Sequence, residues 1–176
     1  RATGRHLVDK GIVNEGFKKV SPEAADLSLH RLSRMDSAKS GESVQGVADE
    51  VRETTQKNCG VFRSEELLTN GVDAIKVLEE KVGSIYFEDK SKIFNTARVE
   101  ALEVENMIEA AKATIISAEA RKESRGAHSH NDHPDRDDET WMKHSLWFSE
   151  NDRLDYKPVI LKPSSVESFA PKKRTF

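Results

Sequence analysis

The chain has 176 residues, of which 34% are charged, 36% apolar and only 6% aromatic, with nine Gly; this composition favours a mainly helical domain over a sandwich or barrel. Twenty-eight Lys and Arg stand against 31 Asp and Glu, a net charge of −3 that supplies no general basic face for nucleic acid. No apolar run reaches the roughly 18 residues of a membrane span, and the first segment does not read as a signal peptide. The lone Cys59 excludes an internal disulfide and a cysteine-based zinc site, which fits a reducing compartment.

In chain order, Ala2, Leu7 and Val8 lack a preceding cap and Gly11 stands where a helix would stop, so residues 1–11 read as the last turns of a longer helix and the chain as part of something larger. Ser21-Pro22-Glu23 then gives a helix start, with Ser21 as N-cap and Pro22 at the first helical position, followed by Leu27, Leu29 and Leu32. A short helix is predicted there, then a polar linker through Ser37 and Ser40.

Val44, Val47, Val51 and Thr54 recur at spacings of three and four among charged residues, an amphipathic helix ending near Cys59-Gly60. Ser64 caps a second helix, with Glu65 and Glu66 in its first turn, where carboxylates meet the positive helix end. Its stripe is Leu68, Val72, Ile75, Leu78 and Val82. Asn95 opens the longest helix, striped by Ala101, Val104, Ile108, Ala111, Ile115 and Ala118, with Gly126 as its stop. Three such helices with short connections predict an antiparallel bundle over residues 42–124, each stripe read as core.

Residues 128–139 hold three His, five acidic residues and Pro134 and almost nothing apolar, and read as loop. Trp141, Leu146 and Phe148, then Leu154, Tyr156 and Ile160, are two partly alternating stretches separated by Ser149-Glu150-Asn151-Asp152, a β-hairpin whose second strand Pro158 restricts to an edge. The fold class expected is therefore mainly α, an antiparallel three-helix bundle followed by a small α+β C-terminal segment. No G-x-G, G-x-S-x-G, H-E-x-x-H or C-x-x-C is present, and no spacing selects a nucleophile. His128, His130 and His133 carry ligands that suit zinc if the loop folds back, but His- and Asp-rich loops are usually solvated, and a structural or docking role is ranked ahead of metal. The basic tail Lys172-Lys173-Arg174 reads as solvated.

Longer runs carry a family likeness. Asn95-Thr96-Ala97-Arg98-Val99-Glu100-Ala101-Leu102-Glu103, then Arg121-Lys122-Glu123-Ser124-Arg125-Gly126-Ala127-His128, and Asp135-Arg136-Asp137-Asp138 through Trp141-Met142-Lys143-His144 closely resemble the C-terminal part of the succinate dehydrogenase and fumarate reductase flavoprotein subunit. Gly60-Val61-Phe62-Arg63 and the ending Pro171-Lys172-Lys173-Arg174-Thr175-Phe176 add to the resemblance, which spans nearly the whole chain. His130, where the family usually has Arg, and His133, where it usually has an aromatic, depart from it.

The resemblance implies a division into the end of the last flavin-domain helix (1–11), a connecting segment with a short helix (12–41), a three-helix bundle (42–124) and a small C-terminal domain (125–176). It implies that the whole subunit oxidises succinate to fumarate, passing a hydride to covalently bound FAD and electrons to an iron–sulfur subunit and a membrane quinone. In bacterial members the subunit lies on the cytoplasmic side of the inner membrane. Catalytic and flavin-binding residues are expected to lie upstream, none in this chain, no metal-binding residue is expected in it, and it would contribute docking. Glu123, Arg125, Gly126 and His128 are the residues expected at the contact with the flavin-binding domain. Arg125 there can bridge a carboxylate bidentately, and Gly126 allows a left-handed exit from the helix. The alternative is a stand-alone helical interaction module with the His-rich loop as a metal or partner site.

Overall fold

The computed structural model describes residues 2–11 and 19–172. Of the features read from sequence, Arg1 and the Lys173–Phe176 part of the basic ending lie outside the described residues. The chain divides into two compact units, residues 1–37 and 38–176.

The first unit holds α1 (Ala2–Asp9), a 3₁₀ turn (Pro22–Ala25) and α2 (Asp26–Ser37). Gly11 follows α1 in the left-handed region at φ 69°, the conformation a helix-ending glycine supplies. Ser21 caps the turn as its sequence predicts, its hydroxyl accepting from the Glu23 N–H at 3.4 Å. The helix that follows reaches Ser37, so the polar linker expected through Ser37 is shorter than predicted. Leu27 and Leu29 do not form a buried stripe; both are exposed.

In the second unit β1 (Glu42–Ser43) leads into α3 (Val44–Asn58), β2 (Phe62–Arg63) into α4 (Glu65–Gly83), and β3 (Ile85–Tyr86) precedes α5 (Thr96–Ala120). β4 (Ser129–His130), the single-turn α6 (Asp138–Trp141), and the strands β5 (Lys143–Phe148) and β6 (Arg153–Pro158) follow. Each long helix starts because a side chain takes up an otherwise orphaned N–H: Ser43 accepts from Gly46 at 3.3 Å, Ser64 from Leu67 at 3.2 Å and Asn95 from Arg98 at 2.8 Å.

The three helices pack against one another along the predicted stripes. Val44, Val47 and Val51 of α3, Leu68, Ile75, Leu78 and Val82 of α4, and Ala101, Val104, Ile108, Ala111, Ile115 and Ala118 of α5 are all buried. Thr54 and Val72 are only half-buried, and Ala48 and Gly71 take core places instead. Two short parallel pairings brace the bundle at opposite ends: Glu42↔Ile85 and Ser43↔Tyr86 join β1 to β3, and Phe62↔Ser129 and Arg63↔His130 join β2 to β4. β1 precedes α3 while β3 follows α4, and β2 precedes α4 while β4 follows α5, which makes the helices run up, down and up.

At Gly71 α4 lies close against both of its neighbours. A Cβ there would stand 2.9 Å from Asn58 Cβ and 3.3 Å from Ile115 Cγ2. Alanine gains about 1 kcal/mol of helix propensity over glycine, but overpacking of a tight core costs about 1–3 kcal/mol. Gly71→Ala is therefore expected to lower the melting temperature by a few degrees, measured by circular dichroism; a rise would show that α3 and α4 separate freely.

The expected hairpin is present, with Lys143↔Pro158 through Phe148↔Arg153 paired antiparallel and Pro158 at the strand end. Trp141 and Ile160 lie outside its strands. Beneath it sits a buried cation. Lys112 of α5 is 3% exposed and pairs with Glu79 of α4 at 2.6 Å and Asp152 of the hairpin turn at 3.1 Å, with Trp147 5.7 Å from the ammonium. Burial disfavours the charge on Lys112, but the two carboxylates outweigh it and its pKa is raised.

Two predicted features differ. α5 ends at Ala120 and not at Gly126, because Arg121 turns extended (φ −88°, ψ 100°) and its side chain is drawn into contacts beyond the helix. The segment 128–139 is not simply loop: Ser129 and His130 pair with β2, and Asp138–Trp141 forms a helical turn capped by Asp137.

Candidate functional site

The corner where α5 leaves the bundle is organised by one carboxylate. Arg121 and Arg125, two residues to either side of Glu123, both direct their guanidinium groups at its carboxylate. Glu123 is wholly buried. Its Oε1 accepts from Arg121 Nη1 and from Arg125 Nε, each at 2.7 Å, and its Oε2 accepts from Arg125 Nη2 at 3.0 Å and from the Asp137 N–H at 2.9 Å. Arg125 thus makes the bidentate grip that its type allows. Burial pushes the Glu123 pKa up, but the hydrogen bonds from Arg125, Asp137 and Arg121 prevail and hold it below the ordinary carboxylate value.

Both arginines reach further. Arg121 Nη1 donates to the Trp141 carbonyl at 3.1 Å, and Nη2 to the Lys143 carbonyl at 2.7 Å and Ser145 Oγ at 3.3 Å, which holds the first hairpin strand against the end of α5. Arg125 Nη2 also pairs with Asp138 Oδ1 at 2.7 Å. The two arginines therefore tie α5, α6 and β5 to a single carboxylate.

Gly126 has φ 59°. It forms a tight turn closed at both sides, Arg125 N–H to the His128 carbonyl at 2.9 Å and His128 N–H to the Arg125 carbonyl at 3.0 Å. The left-handed glycine expected from sequence is present, but within this turn and not at a helix end. The turn aims His128 back at the bundle. Arg63 Nη1 lies 2.7 Å from His128 Nδ1 and the Arg121 carbonyl lies 3.0 Å from Nε2. Arginine can only donate and a carbonyl only accept, so the ring is neutral with its proton on Nε2. Burial, with Arg63 close by, lowers its pKa.

The remaining loop residues are engaged structurally. Ser124 Oγ accepts from the His130 N–H at 2.8 Å and lies 2.8 Å from the His133 carbonyl, to which it donates. Asp132 Oδ2 accepts the Glu65 N–H at 2.7 Å, an added cap on α4 contributed from 67 residues away. His130 is 1% exposed, although loops of this composition are usually solvated. Its ring meets His128 and His133 edge-to-face at centroid distances of 5.8 and 4.7 Å. Among the described residues, no group of three or more His, Cys, Asp and Glu is placed to hold a metal ion. The four residues singled out from sequence are thus contiguous in space. The parts missed are Arg63, Arg121 and Asp137, and of these Arg121 was visible as the mirror of Arg125 in Arg121-x-Glu123-x-Arg125.

Residues 48–176 match the family model described as fumarate reductase flavoprotein C-term. Over 99% of its length the chain is 36% identical to the succinate dehydrogenase flavoprotein subunit of Coxiella burnetii, covering 30% of that protein. It is 39% identical over 90% of its length to the succinate dehydrogenase flavoprotein subunit of Rickettsia bellii, covering 28% of it. A chain of E. coli quinol fumarate reductase superposes with a TM-score of 0.79 over 95% of this chain and 29% of that one, at 28% identity. The chain thus spans about 30% of the length of the curated relatives it matches. Matched along nearly its whole length in sequence and in fold, the chain belongs to the succinate dehydrogenase and fumarate reductase flavoprotein family and corresponds to its C-terminal part.

Proposed function

We propose that the chain serves as the C-terminal helical part of a succinate dehydrogenase flavoprotein subunit that oxidises succinate to fumarate through FAD and passes electrons to an iron–sulfur subunit and a quinone. Its own role is structural. The corner of Glu123, Arg125, Gly126 and His128 docks on the flavin-binding domain of the same subunit, the iron–sulfur subunit is a further partner, and the membrane anchor is reached only through it. The assembly sits at the cytoplasmic face of a bacterial inner membrane; no helix among the described residues is long and apolar enough to cross a membrane. The division into 1–11, 12–41, 42–124 and 125–176 belongs to this proposal.

The observation that carries the docking role is Glu123 held by two arginines and a backbone N–H at the place where α5, α6 and the hairpin meet. Such a corner is rigid, and rigidity is what a docking surface needs. The residues do not fit the flavin itself. FAD brings the hydride-accepting ring, but its pyrophosphate needs backbone N–H groups brought close by a glycine-rich turn at a helix start; the chain contains no G-x-G, and at the starts of α3, α4 and α5 one N–H each is already taken by Ser43, Ser64 and Asn95.

The test mixes the purified chain with FAD, succinate and an artificial electron acceptor, alone and with the separately expressed flavin-binding portion of a related subunit. Alone, no flavin is retained and no dye reduced. Together, a complex forms on gel filtration and Arg125→Gln weakens it. Turnover by the chain alone, or a complex indifferent to Arg125, overturns the reading.

A further inference from the structure

Val61 and Phe62 are 68% and 71% exposed, although the turn that carries them is firmly held. Arg63 grips its own turn, Nε donating to the Gly60 carbonyl at 3.1 Å and Nη2 to the Cys59 carbonyl at 3.4 Å, while Nη1 reaches His128 Nδ1. The Arg63 carbonyl accepts the Asn131 N–H at 2.7 Å, and Phe62 pairs with Ser129 in the β2–β4 ladder. Successive residues of a strand face opposite ways. With Arg63 turned in towards His128, Phe62 is turned out, and its ring forfeits apolar burial on a backbone that has little freedom to hide it.

The corner beside this turn keeps little polar chemistry for a partner. Glu123 is wholly buried, both ring nitrogens of His128 are taken by Arg63 and the Arg121 carbonyl, and Arg125 spends Nε and Nη2 on Glu123 and Asp138. Protein interfaces draw most of their affinity from a few central anchors, aromatic ones above all, set inside a polar rim. Phe62 with Val61 has the form of such an anchor, and Glu65, three residues on and paired with Lys122 at 3.1 Å, gives it a rim. An anchor already fixed before binding loses less entropy when it binds.

We propose that Val61 and Phe62 are the apolar anchor by which this end of the bundle docks, with the Phe62 ring entering an apolar pocket on the flavin-binding portion of the same subunit. The choice of occupant rests on the docking reading above. Arg63, next in the chain, is hydrogen-bonded to His128 of the corner, so an interface of ordinary size, about 800 Å² per partner, seated on the corner covers Phe62 as well. A second copy of this chain is the competing occupant, and the test separates the two.

The wild-type chain, Phe62→Ser, Phe62→Tyr and Arg125→Gln are each titrated calorimetrically against the separately expressed flavin-binding portion of a related subunit, whose bound FAD shows that it is folded. Each chain is also run alone on gel filtration. Phe62→Ser is expected to raise the dissociation constant about thirtyfold, the loss of one central aromatic anchor, and Phe62→Tyr, which keeps the ring, by no more than about threefold. Circular dichroism of both variants stays that of wild type, because the side chain is exposed. A complex weakened by Arg125→Gln but indifferent to Phe62→Ser overturns this proposal and leaves the docking reading standing. Weakening by Phe62→Ser with Arg125→Gln without effect supports the anchor and removes the corner from the interface. No complex with the wild-type chain overturns both. A chain that is dimeric alone and monomeric as Phe62→Ser assigns the pair to a second copy and overturns the proposal.

Discussion

Replacing Ile108 with Asp is expected to abolish the cooperative unfolding transition of the bundle. Ile108 is 3% exposed on the face of α5 that meets the other two helices. The substitution forfeits about 1.5–3 kcal/mol of apolar burial and places a carboxylate in a stripe of alkyl side chains, a desolvation of several kcal/mol more. A domain of this size has only about 5–15 kcal/mol in hand, so the sum consumes much or all of it. Near-ultraviolet circular dichroism and a thermal scan report the result. A native signal with an unchanged midpoint would mean that α5 does not present this face to the core.

Glu123→Ala is expected to have the next largest effect. Breaking a buried ion pair by removing one partner costs about 3–5 kcal/mol, because Arg121 and Arg125 then lose their shared acceptor. For a chain of this length that is a fall of about 10 °C in melting temperature. The same residue sets an acid dependence. The folded pKa of Glu123 lies below its unfolded value, so the stabilisation is fully present above the ordinary carboxylate range and is lost as the pH falls through the folded value. The difference in stability between wild type and Glu123→Gln should therefore be large at neutral pH and shrink in acid. A difference constant with pH would show that Glu123 is not ionised in the folded chain.

The helices were legible in sequence for two reasons with local causes. Ser64 and Asn95 cap the helices they were expected to cap, since a cap acts within three residues, and the stripes of α3, α4 and α5 repeat with the helical period. The termination of α5 was not legible, because Ala120 and Arg121 carry no stop signal and the turn is imposed by carbonyls of Trp141 and Lys143. Likewise, a two-residue pairing such as Arg63↔His130 leaves no periodicity to read. At the candidate site Arg125, Glu123 and His128 stood out as a contiguous run resembling a known family, whereas Arg63 and Asp137 join them only through the fold. The burial of His130 depended on β4 and could not be read from a segment rich in polar residues.

The two parallel pairings have a mechanical meaning. Each stitches the entry of one helix to the exit of the next, β1 to β3 at one end and β2 to β4 at the other. Apolar stripes that repeat with the helical period would still mesh after a helix slid along its neighbour by a turn, about 5.4 Å. A hydrogen bond fails after a displacement of well under half that distance. Because α4 is pinned at both ends, to β3 on its exit and through β2 on its entry, axial slippage must unfasten both clasps at once. The bundle thus behaves as a strut of fixed length, and a load arriving at the Glu123 corner is transmitted to the opposite end instead of being dissipated by shear between helices.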